Sequence, residues 1–523
     1  MFDIIIRNGV IIDGSGEKMH LVDIGIKDDE IAEIGELHNE RGEVEINARR
    51  KYVCPGFIDV NNHSDTYWQI FNDPNLESLV HQGITTIVGG NCGSSLAPLV
   101  NAKTLDTIQK WANIRHISIN WLDFDEFFKF LETKRISVNF ASLVGHATLR
   151  RGIIKDKMRA LETNELAIAG KMLKNSIQEG ALGMSTGLIY THARSATMEE
   201  LVYLANILKK YNGVYVSHIR NEGKNLVEAA KEAINLAEKT GVKIHISHLK
   251  AVGEKYWHLM DEVLFAISKA KEQGLDITFD VFPYTQTGTV LYTMLPEWVS
   301  EGGKKMMLHR LRDQAIQNKV MEEMKNSDID FSKVEIAISS LSKTLSKRKI
   351  TEIATSQNKS VEKAVIDVLI ASDGRVITNS EVLSEDNIKK AIVHPLSIIA
   401  SNGTGYCADH RKTGELVHPR CFGTFPKILV KYVSEQKLLK WEEAIRKMTA
   451  LPAEKFGLRR RGKLKENYFA DIVIIDPKKI KDQATVENPY QYNKGIDWVI
   501  TNGKITIKEG EYTQVRNGEV IIR

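Results

Sequence analysis

Residues that can bind a metal or move a proton recur at the ends of short apolar segments in this sequence. Six of the eight strands predicted below run directly into a histidine, cysteine or asparagine, at Asn61-Asn62-His63, Gly90-Asn91-Cys92, Gly145-His146, Ser217-His218, Ser247-His248 and Ser401-Asn402. A single histidine in such a position is more often a structural hydrogen-bonding residue than a metal ligand. Its repetition over successive strands instead indicates one shared site.

Cys92, His218 and His248 have side chains suited to zinc. The two histidines each follow a serine, one strand–helix unit apart, so both imidazoles would face the same end of a parallel sheet. A thiolate and two imidazoles form a three-ligand set for zinc that leaves the fourth position open. Cys92 alone could be a small buried apolar residue, but Gly90 and Gly93 suit a backbone that bends tightly around a site.

The elements that position these residues follow a strand–helix rhythm between about residues 55 and 450. Short β-branched segments alternate with longer helical patterns, which indicates a parallel sheet. The predicted strands are Val53–Val60, Ile84–Gly89, Val138–Val144, Ala181–Ser185, Val214–Ser217, Ile244–Ser247, Ile277–Val281 and Ser397–Ser401. Eight such strands predict a (β/α)8 TIM barrel, whose chemistry sits at the carboxyl ends of the strands.

Two segments depart from this rhythm. The long connection between the seventh and eighth predicted strands indicates an insertion at about residues 288–350, near the barrel mouth. Both ends of the chain read as short strands joined by tight turns such as Asn8-Gly9 and Asn502-Gly503. We therefore predict a small β-sandwich domain built from residues 1–54 and 455–523, with the barrel spanning 55–454.

Composition narrows the classes of function. A net charge of +4 over 523 residues, with cations scattered among carboxylates, argues against a nucleic-acid partner. The sequence has no apolar stretch of the length a membrane span needs and no charged leader, which favours a cytoplasmic location. Four cysteines without close pairing fit a reducing compartment. Oligomers are compatible with all of these features.

Ordered motifs along nearly the whole chain resemble the N-acyl-D-amino-acid deacylases, or D-aminoacylases, of the amidohydrolase superfamily. They include Pro55-Gly56-Phe57-Ile58-Asp59, Gly90-Asn91-Cys92-Gly93, Gly145-His146-Ala147-Thr148-Leu149-Arg150, Gly183-Met184-Ser185-Thr186-Gly187, His418-Pro419-Arg420 and Tyr468-Phe469-Ala470-Asp471. The resemblance implies hydrolysis of a linear amide C–N bond in a small-molecule or short peptidic substrate that carries a carboxylate.

The same resemblance assigns roles to residues. Cys92, His218 and His248 would hold one tightly bound Zn²⁺. Arg420 would pair with the substrate carboxylate, for which its guanidinium fork is suited, although taken alone it reads as a surface ion pair. Tyr190, Thr287 and His146 would contribute to substrate binding.

This sequence departs from the family at two positions. After the first strand the family has His-x-His, where this chain has Asn61-x-His63, and after the eighth it has Ser-Asp-Gly, where this chain has Ser401-Asn402-Gly403. The first change predicts that a second metal site is weakened or absent. The second places Asn402 where the family's aspartate moves a proton, and an amide has no titratable proton near neutral pH. The resemblance makes Asn402 and His63 the candidate catalytic residues.

Three functions remain open on these residues. The chain could be a zinc deacylase with a relocated base, for which His394, Asp409 and His410 are candidates. It could keep zinc and Arg420 but run a cyclisation or condensation. It could also be a non-catalytic binding protein, although the retention of all three zinc ligands argues against that. Deliberate replacement of Asn61 and Asn402 to trap a complex would leave the same pattern.

Overall fold

The computed structural model describes residues 1–101 and 117–523. At its centre are parallel strands in eight positions: Phe57–Asp59, Ile84–Gly89, Asn139–Ser142 with Val144–Gly145, Gly183–Gly187, Val214–His218, Lys243–Ile246, Ile277–Val281 and Ser397–Ile399. We number these barrel strands 1 to 8 in chain order. Every residue of these strands is buried except Lys243, the first residue of strand 6, as expected of parallel strands covered on both faces.

The ring of strands closes at two seams. Strand 3 pairs with strand 2 through Asn139–Ser142 and with strand 4 through Val144–Gly145. A parallel bridge between Asn62 and Gly403 joins the ends of strands 1 and 8, and the Ser401 amide donates to Asp59 Oδ1 at 2.9 Å. This arrangement confirms the (β/α)8 barrel predicted from the sequence.

Helices cover the outside of the barrel and cap its ends. The helix Leu226–Thr240 is representative: Leu226, Ala230, Ala233 and Ala237 are buried on one face, and Gly241 ends the helix at a φ of 65°. Within the described ranges, the other helices outside the insertion are Gln69–Asn72, Glu77–Val80, Phe124–Lys134, His146–Ile154, Thr163–Gln178, Thr191–Arg194, Met198–Lys210, Glu254–Tyr256, Leu259–Glu272, Glu385–Val393, Ala408–Thr413, Arg420–Lys427, Ile428–Glu435, Trp441–Met448 and Ala450–Phe456.

The first predicted strand, Val53–Val60, is two strands in the structure. Tyr52–Pro55 belongs to a different sheet, and the chain enters the barrel at Phe57. Gly56 lies between them because a Cβ there would stand 2.1 Å from Thr85 Oγ1 on barrel strand 2. Glycine thus allows the chain to change sheets beside the barrel wall.

Both ends of the chain form one nine-stranded sheet, which we call the terminal sheet. The N-terminal part joins the C-terminal part where Tyr52–Pro55 pairs antiparallel with Ile472–Ile475. The remaining strands of the terminal sheet are Phe2–Ile11, His20–Lys27, Glu30–Gly35, Gly42–Asn47, Ile496–Thr501, Lys504–Lys508 and Glu511–Tyr512.

Between barrel strands 7 and 8 lies a separately packed segment, residues 286–381, which we call the inserted unit. It has an antiparallel sheet in which Val376–Glu381 lies between Gln286–Val290 and Val334–Ser339. Its helices are Leu291–Met294, Glu297–Ser300, Gly303–Arg312, Gln314–Lys325, Phe331–Lys333, Ser342–Leu345, Ile350–Ser356 and Val361–Ala371. The unit extends past the predicted 288–350 because its central strand comes last in sequence.

No helix within the described ranges is both long and apolar enough to cross a membrane.

Candidate active site

A cavity of about 860 Å³ opens at the carboxyl ends of the barrel strands, beneath the inserted unit. Of the nine residues to which the sequence analysis gave a metal-binding, catalytic or substrate-binding role, eight line it: His63, Cys92, Tyr190, His218, His248, Thr287, Asn402 and Arg420. The barrel therefore brings together residues that lie more than three hundred positions apart in the sequence.

Cys92, His218 and His248 form a buried cluster that could hold a metal ion. One ligand atom from each lies within 4.8 Å of the others, and Cys92 Sγ is 3.6 Å from His248 Nε2. Neither ring nitrogen of His218 makes a hydrogen bond, although His218 is only 5% exposed. A buried imidazole that makes no hydrogen bond and lies next to a thiol fits a zinc site of two nitrogens and one sulfur.

The backbone at these residues is held in an unusual conformation. Cys92, His248 and Asn402 have φ values of 52°, 37° and 48°, in the left-handed region that residues with side chains seldom adopt. Gly93, at a φ of 78°, packs so closely that a Cβ there would stand 2.8 Å from the Gly187 amide nitrogen. Such backbone strain is typical of functional sites.

The surroundings of Cys92 favour its thiolate. Burial alone raises the pKa of a thiol, but interactions with the neighbouring His218, His248 and His63 outweigh burial and hold the pKa of Cys92 well below its usual value. The thiolate is the form of cysteine that binds metal. Burial and Lys250 also oppose protonation of His248, yet hydrogen bonds with Cys92 and Glu222 raise the pKa of His248 to about 9.

Glu222 and Lys250 were not predicted from the sequence, and they stand directly behind the cluster. Glu222 Oε1 lies 3.2 Å from His248 Nδ1 and 3.4 Å from His218 Nε2, and it pairs with Lys250 Nζ. Lys250 Nζ is also 3.0 Å from His248 Nδ1. Burial raises the pKa of Glu222, but Lys250 and the two histidines lower it far more. The sequence offered only one hint of these two residues: Glu222 comes shortly after His218 and Lys250 shortly after His248.

His63 and Asn402, the two predicted catalytic residues, are in direct contact. His63 Nε2 lies 2.9 Å from Asn402 Oδ1. An amide oxygen can only accept, so the imidazole donates. The amide nitrogen of Asn402 is then the atom that can donate to a substrate oxygen.

Asn61 does not line the cavity. It is fully buried, and its Nδ2 lies 3.3 Å from both carboxylate oxygens of Asp280. Asp280 Oδ1 also accepts from the backbone amide of the predicted ligand His248 at 2.9 Å, and Asp280 Oδ2 is 2.9 Å from His245 Nε2. The asparagine thus belongs to a hydrogen-bond network beneath the metal cluster.

The three residues considered as relocated bases lie elsewhere. His394 Nε2 is 2.9 Å from Ser268 Oγ, Asp409 Oδ2 accepts from Lys412, and His410 Nε2 is 2.7 Å from Glu415 Oε2. None of these three residues is among the described residues that line the cavity.

Arg420 enters the cavity as a buried cation. It is 9% exposed, its Nε and Nη1 have no hydrogen-bond partner, and its guanidinium lies 5.3 Å from the centre of the Phe282 ring. Thr287 is buried nearby on the first strand of the inserted unit. The Tyr190 ring centre is 5.0 Å from that of His218, which places it beside the metal cluster.

His146 does not fit the substrate-binding role predicted for it. It begins the helix His146–Ile154, is 1% exposed, and its Nε2 lies 2.7 Å from Glu200 Oε1. Arg150 donates to the same carboxylate at 2.6 Å. The position follows a barrel strand, but the turn into the helix directs its side chain into a buried ionic network instead of the cavity.

Comparison with known proteins shows to which family this chain belongs. The amidohydrolase family matches residues 44–507. The chain belongs to the amidohydrolase family. This amidohydrolase is 30% identical to a D-aminoacylase from Alcaligenes xylosoxydans xylosoxydans over 528 residues, with 100% of this chain and 98% of the relative covered. It is also 30% identical to an N-acyl-D-glutamate deacylase from the same organism over 502 residues, covering 96% and 93%.

A solved structure extends the likeness to three dimensions. The N-acyl-D-glutamate deacylase from Bordetella bronchiseptica, complexed with zinc and a phosphonate mimic of the tetrahedral intermediate, matches this amidohydrolase with a TM-score of 0.85 and 29% identity over 100% of both chains. These relatives are deacylases, which are hydrolases acting on amide C–N bonds. Together with the Cys92 cluster, they support metal binding by this chain.

Proposed function

We propose that this amidohydrolase is a zinc-dependent hydrolase that cleaves the amide bond of an N-acyl amino acid, with the D configuration that its relatives' names carry. One observation supports this most strongly. A single cavity holds the thiolate–imidazole cluster of Cys92, His218 and His248 together with the buried guanidinium of Arg420. Such a cavity can engage an amide and a carboxylate of one small molecule at the same time.

The donor set of the cluster fits one tightly bound Zn²⁺. When bound, zinc supplies Lewis acidity toward an amide carbonyl and toward water. Cys92, as a thiolate, and the two imidazoles would be its three protein ligands. Glu222 holds the ring of His248 from its outer nitrogen, as carboxylates do for zinc-binding histidines. Position 61 holds an asparagine, which contacts Asp280, so it supplies no imidazole for a second metal.

Arg420 would bind the substrate carboxylate. Its Nε and Nη1 have no hydrogen-bond partner in the described part of the protein, so the guanidinium has N–H groups available for a carboxylate. Its guanidinium lies over the Phe282 ring, which helps to hold it in the cavity. The carboxylate end of the substrate is thereby anchored at one wall of the cavity.

His63 and Asn402 would orient the scissile amide but cannot replace the aspartate. With Oδ1 occupied by His63, Asn402 can donate a hydrogen bond to the amide oxygen. It cannot take up a proton and return it to the leaving amine. We therefore expect slow hydrolysis, because losing a positioned general base costs about 10²–10⁴ in rate.

Hydrolysis assays with the zinc-loaded protein test this proposal. We expect slow release of the acyl group from N-acyl-D-amino acids, a preference over the L-enantiomers, and a gain of about 10²–10⁴ in kcat for Asn402→Asp. Asn164→Asp, at an exposed helix position, is the matched control and should change nothing. A preference for L-enantiomers, or no gain with Asn402→Asp, would contradict the proposal.

The amide at position 402 favours one second candidate, a cyclisation or condensation of the same class of substrate. Such a reaction keeps the carboxylate anchor and the polarised carbonyl but does not require water to be activated. The double variant Asn61→His with Asn402→Asp separates the two. If the unmodified protein is inert toward N-acyl-D-amino acids and the double variant hydrolyses them, the native reaction is the second candidate.

A further inference from the structure

Asp280 is a fully buried carboxylate on barrel strand 7, beneath the metal cluster. A buried carboxylate is costly unless hydrogen bonds satisfy it. Here both oxygens accept: Oδ1 from the His248 backbone amide at 2.9 Å and Oδ2 from His245 Nε2 at 2.9 Å, while Asn61 Nδ2 lies 3.3 Å from each. One carboxylate thus joins the end of barrel strand 1 to those of strands 6 and 7.

The backbone of His248 needs this support. Its φ of 37° lies in the left-handed region, which is unfavourable for a residue with a side chain unless the surroundings hold it there. The next amide, that of Leu249, donates to the backbone oxygen of Asp280 at 2.9 Å. Two successive amides therefore bind one residue, and they fix the turn that carries the His248 ring to Cys92, with Nε2 3.6 Å from Sγ.

His248 is consequently held from two sides. Glu222 Oε1 lies 3.2 Å from the outer nitrogen of the ring and restricts how the ring can rotate. Asp280 instead binds the main chain, which determines where the ring begins. A correctly placed metal-binding nitrogen requires both.

His245 and Asn61 leave the carboxylate of Asp280 little freedom to turn. Burial outweighs that carboxylate and lowers the pKa of His245, so the ring is neutral near neutral pH. It donates from Nε2 to Asp280 and accepts at Nδ1 from Thr278 Oγ1, 2.8 Å away. The amide of Asn61 presents its nitrogen to Asp280, because a carboxylate would repel an amide oxygen.

We propose that Asp280 is a positioning residue for His248, and that Asn61 and His245 hold its carboxylate in that role. This role rests on the proposed function, which makes His248 a ligand of zinc. Groups that orient a ligand from outside change the affinity for the metal without touching it. Position 61 thereby serves the single zinc from beneath, although it supplies no ligand.

A second buried carboxylate, Asp59, stands at the junction of barrel strands 1 and 8 and provides a matched control. It is also fully buried, and it accepts from the Ser401 amide and from Asn62 Nδ2, both at 2.9 Å. Ser401 precedes Asn402, and Asn62 precedes His63. Loss of the Asp59 carboxylate can therefore disturb the reacting groups without loosening the zinc ligands.

Zinc affinity, measured on the zinc-loaded protein by competition with a chromogenic chelator, tests the role of Asp280. We expect Asp280→Asn to weaken zinc binding by about 10- to 100-fold, because one amide oxygen cannot accept from three donors. Asp59→Asn should leave the zinc affinity unchanged. A general loosening of the barrel would instead lower the zinc affinity of both variants.

Asn61→Ala gives a second test that keeps the carboxylate. It should weaken zinc binding by about two- to tenfold, the range of one lost hydrogen bond, because Asp280 keeps its other two donors. Asn62→Ala, the same change one residue later, removes a hydrogen bond to Asp59 and should leave the zinc affinity unchanged. If Asp280→Asn does not fold, this pair alone decides.

The results distinguish the role of Asp280 from the proposed function. Unchanged zinc affinity in both Asp280→Asn and Asn61→Ala, or equal losses in Asp280→Asn and Asp59→Asn, would overturn the positioning role and leave the proposed function standing. A loss in Asp280→Asn alone would overturn the role given to position 61. An unmodified protein that binds no zinc would overturn the positioning role and the proposed function together.

Discussion

Glu222 lies beside both histidines of the metal cluster, where its carboxylate can orient their rings. Its carboxylate reaches the outer nitrogen of His248 and lies close to His218, and Lys250 holds it in place. Carboxylates in this relation to zinc-binding histidines fix the ring orientation and make the imidazole a stronger ligand. Glu222 is therefore a positioning residue that acts on zinc through the histidines.

We expect Glu222→Gln to lower the affinity for zinc by about 10- to 100-fold, because the amide cannot replace the charge that orients the imidazole. Competition with a chromogenic chelator measures this directly. Glu254→Gln, an exposed residue at the cavity rim, is the control. Unchanged zinc affinity in Glu222→Gln would show that the carboxylate serves only to neutralise Lys250.

At the scale of single elements, the ends of the barrel strands were largely predictable and the loops were not. The spacing of apolar segments located the strands that lead to Cys92, His218 and His248, because the apolar pattern of a strand depends only on residues close together in the sequence. Glu222 and Lys250 lie in the loops that follow, whose course depends on contacts made only in the folded barrel. His146 also follows a strand, but a helix begins there and turns its side chain inward, which strand spacing cannot indicate.

The buried network at the start of that helix has its own testable consequence. Burial raises the pKa of Glu200, but His146 and Arg150 outweigh it and lower that pKa to about 2. Glu200→Gln leaves Arg150 buried without a carboxylate, so we expect a loss of about 3–5 kcal/mol in the free energy of unfolding. Chemical denaturation at pH 7 measures it, with the exposed neighbour Glu199→Gln as the control.

The pH dependence of the same comparison follows from the sign of the shift. The pKa of Glu200 in the fold lies below its ordinary value of 4.5, so the stabilisation is complete above about pH 4.5 and is lost as the pH falls toward 2. The difference between unmodified protein and Glu200→Gln should thus be constant from pH 8 to 5 and shrink below 4.5. A difference that instead grows on acidification would contradict this account.

At the scale of the whole molecule, Asp471 ties the terminal sheet to the barrel. It is 4% exposed and pairs with Arg461, and it accepts from Asn139 Nδ2 on barrel strand 3 at 3.2 Å and from the Asn502 amide at 2.9 Å. The sequence indicated that both ends fold together, because both read as strands with tight turns. It did not indicate this junction, which joins residues from three distant parts of the chain.

Asp471→Ala should destabilise the whole protein by about 3–5 kcal/mol, because it removes the buried carboxylate that pairs with Arg461 and leaves only Glu519, at 3.8 Å and partly exposed, as an acidic neighbour. Asp497→Ala is the matched control, since its 2.7 Å pair with Lys51 also joins the two ends but is partly exposed, and such pairs contribute about 0–1 kcal/mol. Thermal unfolding followed by circular dichroism compares them. Equal effects of the two changes would contradict the role given to Asp471.

The inserted unit shows a further limit of the sequence. Its helices and strands could be recognised from short sequence patterns, but its C-terminal boundary could not. The strand Val376–Glu381, which completes its sheet, lies in sequence after several helices and next to barrel strand 8. Its contribution to the cavity lining became evident only when these strands were brought over the barrel mouth.

Elemental analysis of the purified protein, beside Cys92→Ala prepared in the same way, tests the central claim most directly. We expect about one zinc per chain in the unmodified protein and its loss in Cys92→Ala, because two imidazoles alone hold zinc weakly. No zinc in the unmodified protein, or the same zinc content in both, would contradict a metal centre at Cys92, His218 and His248.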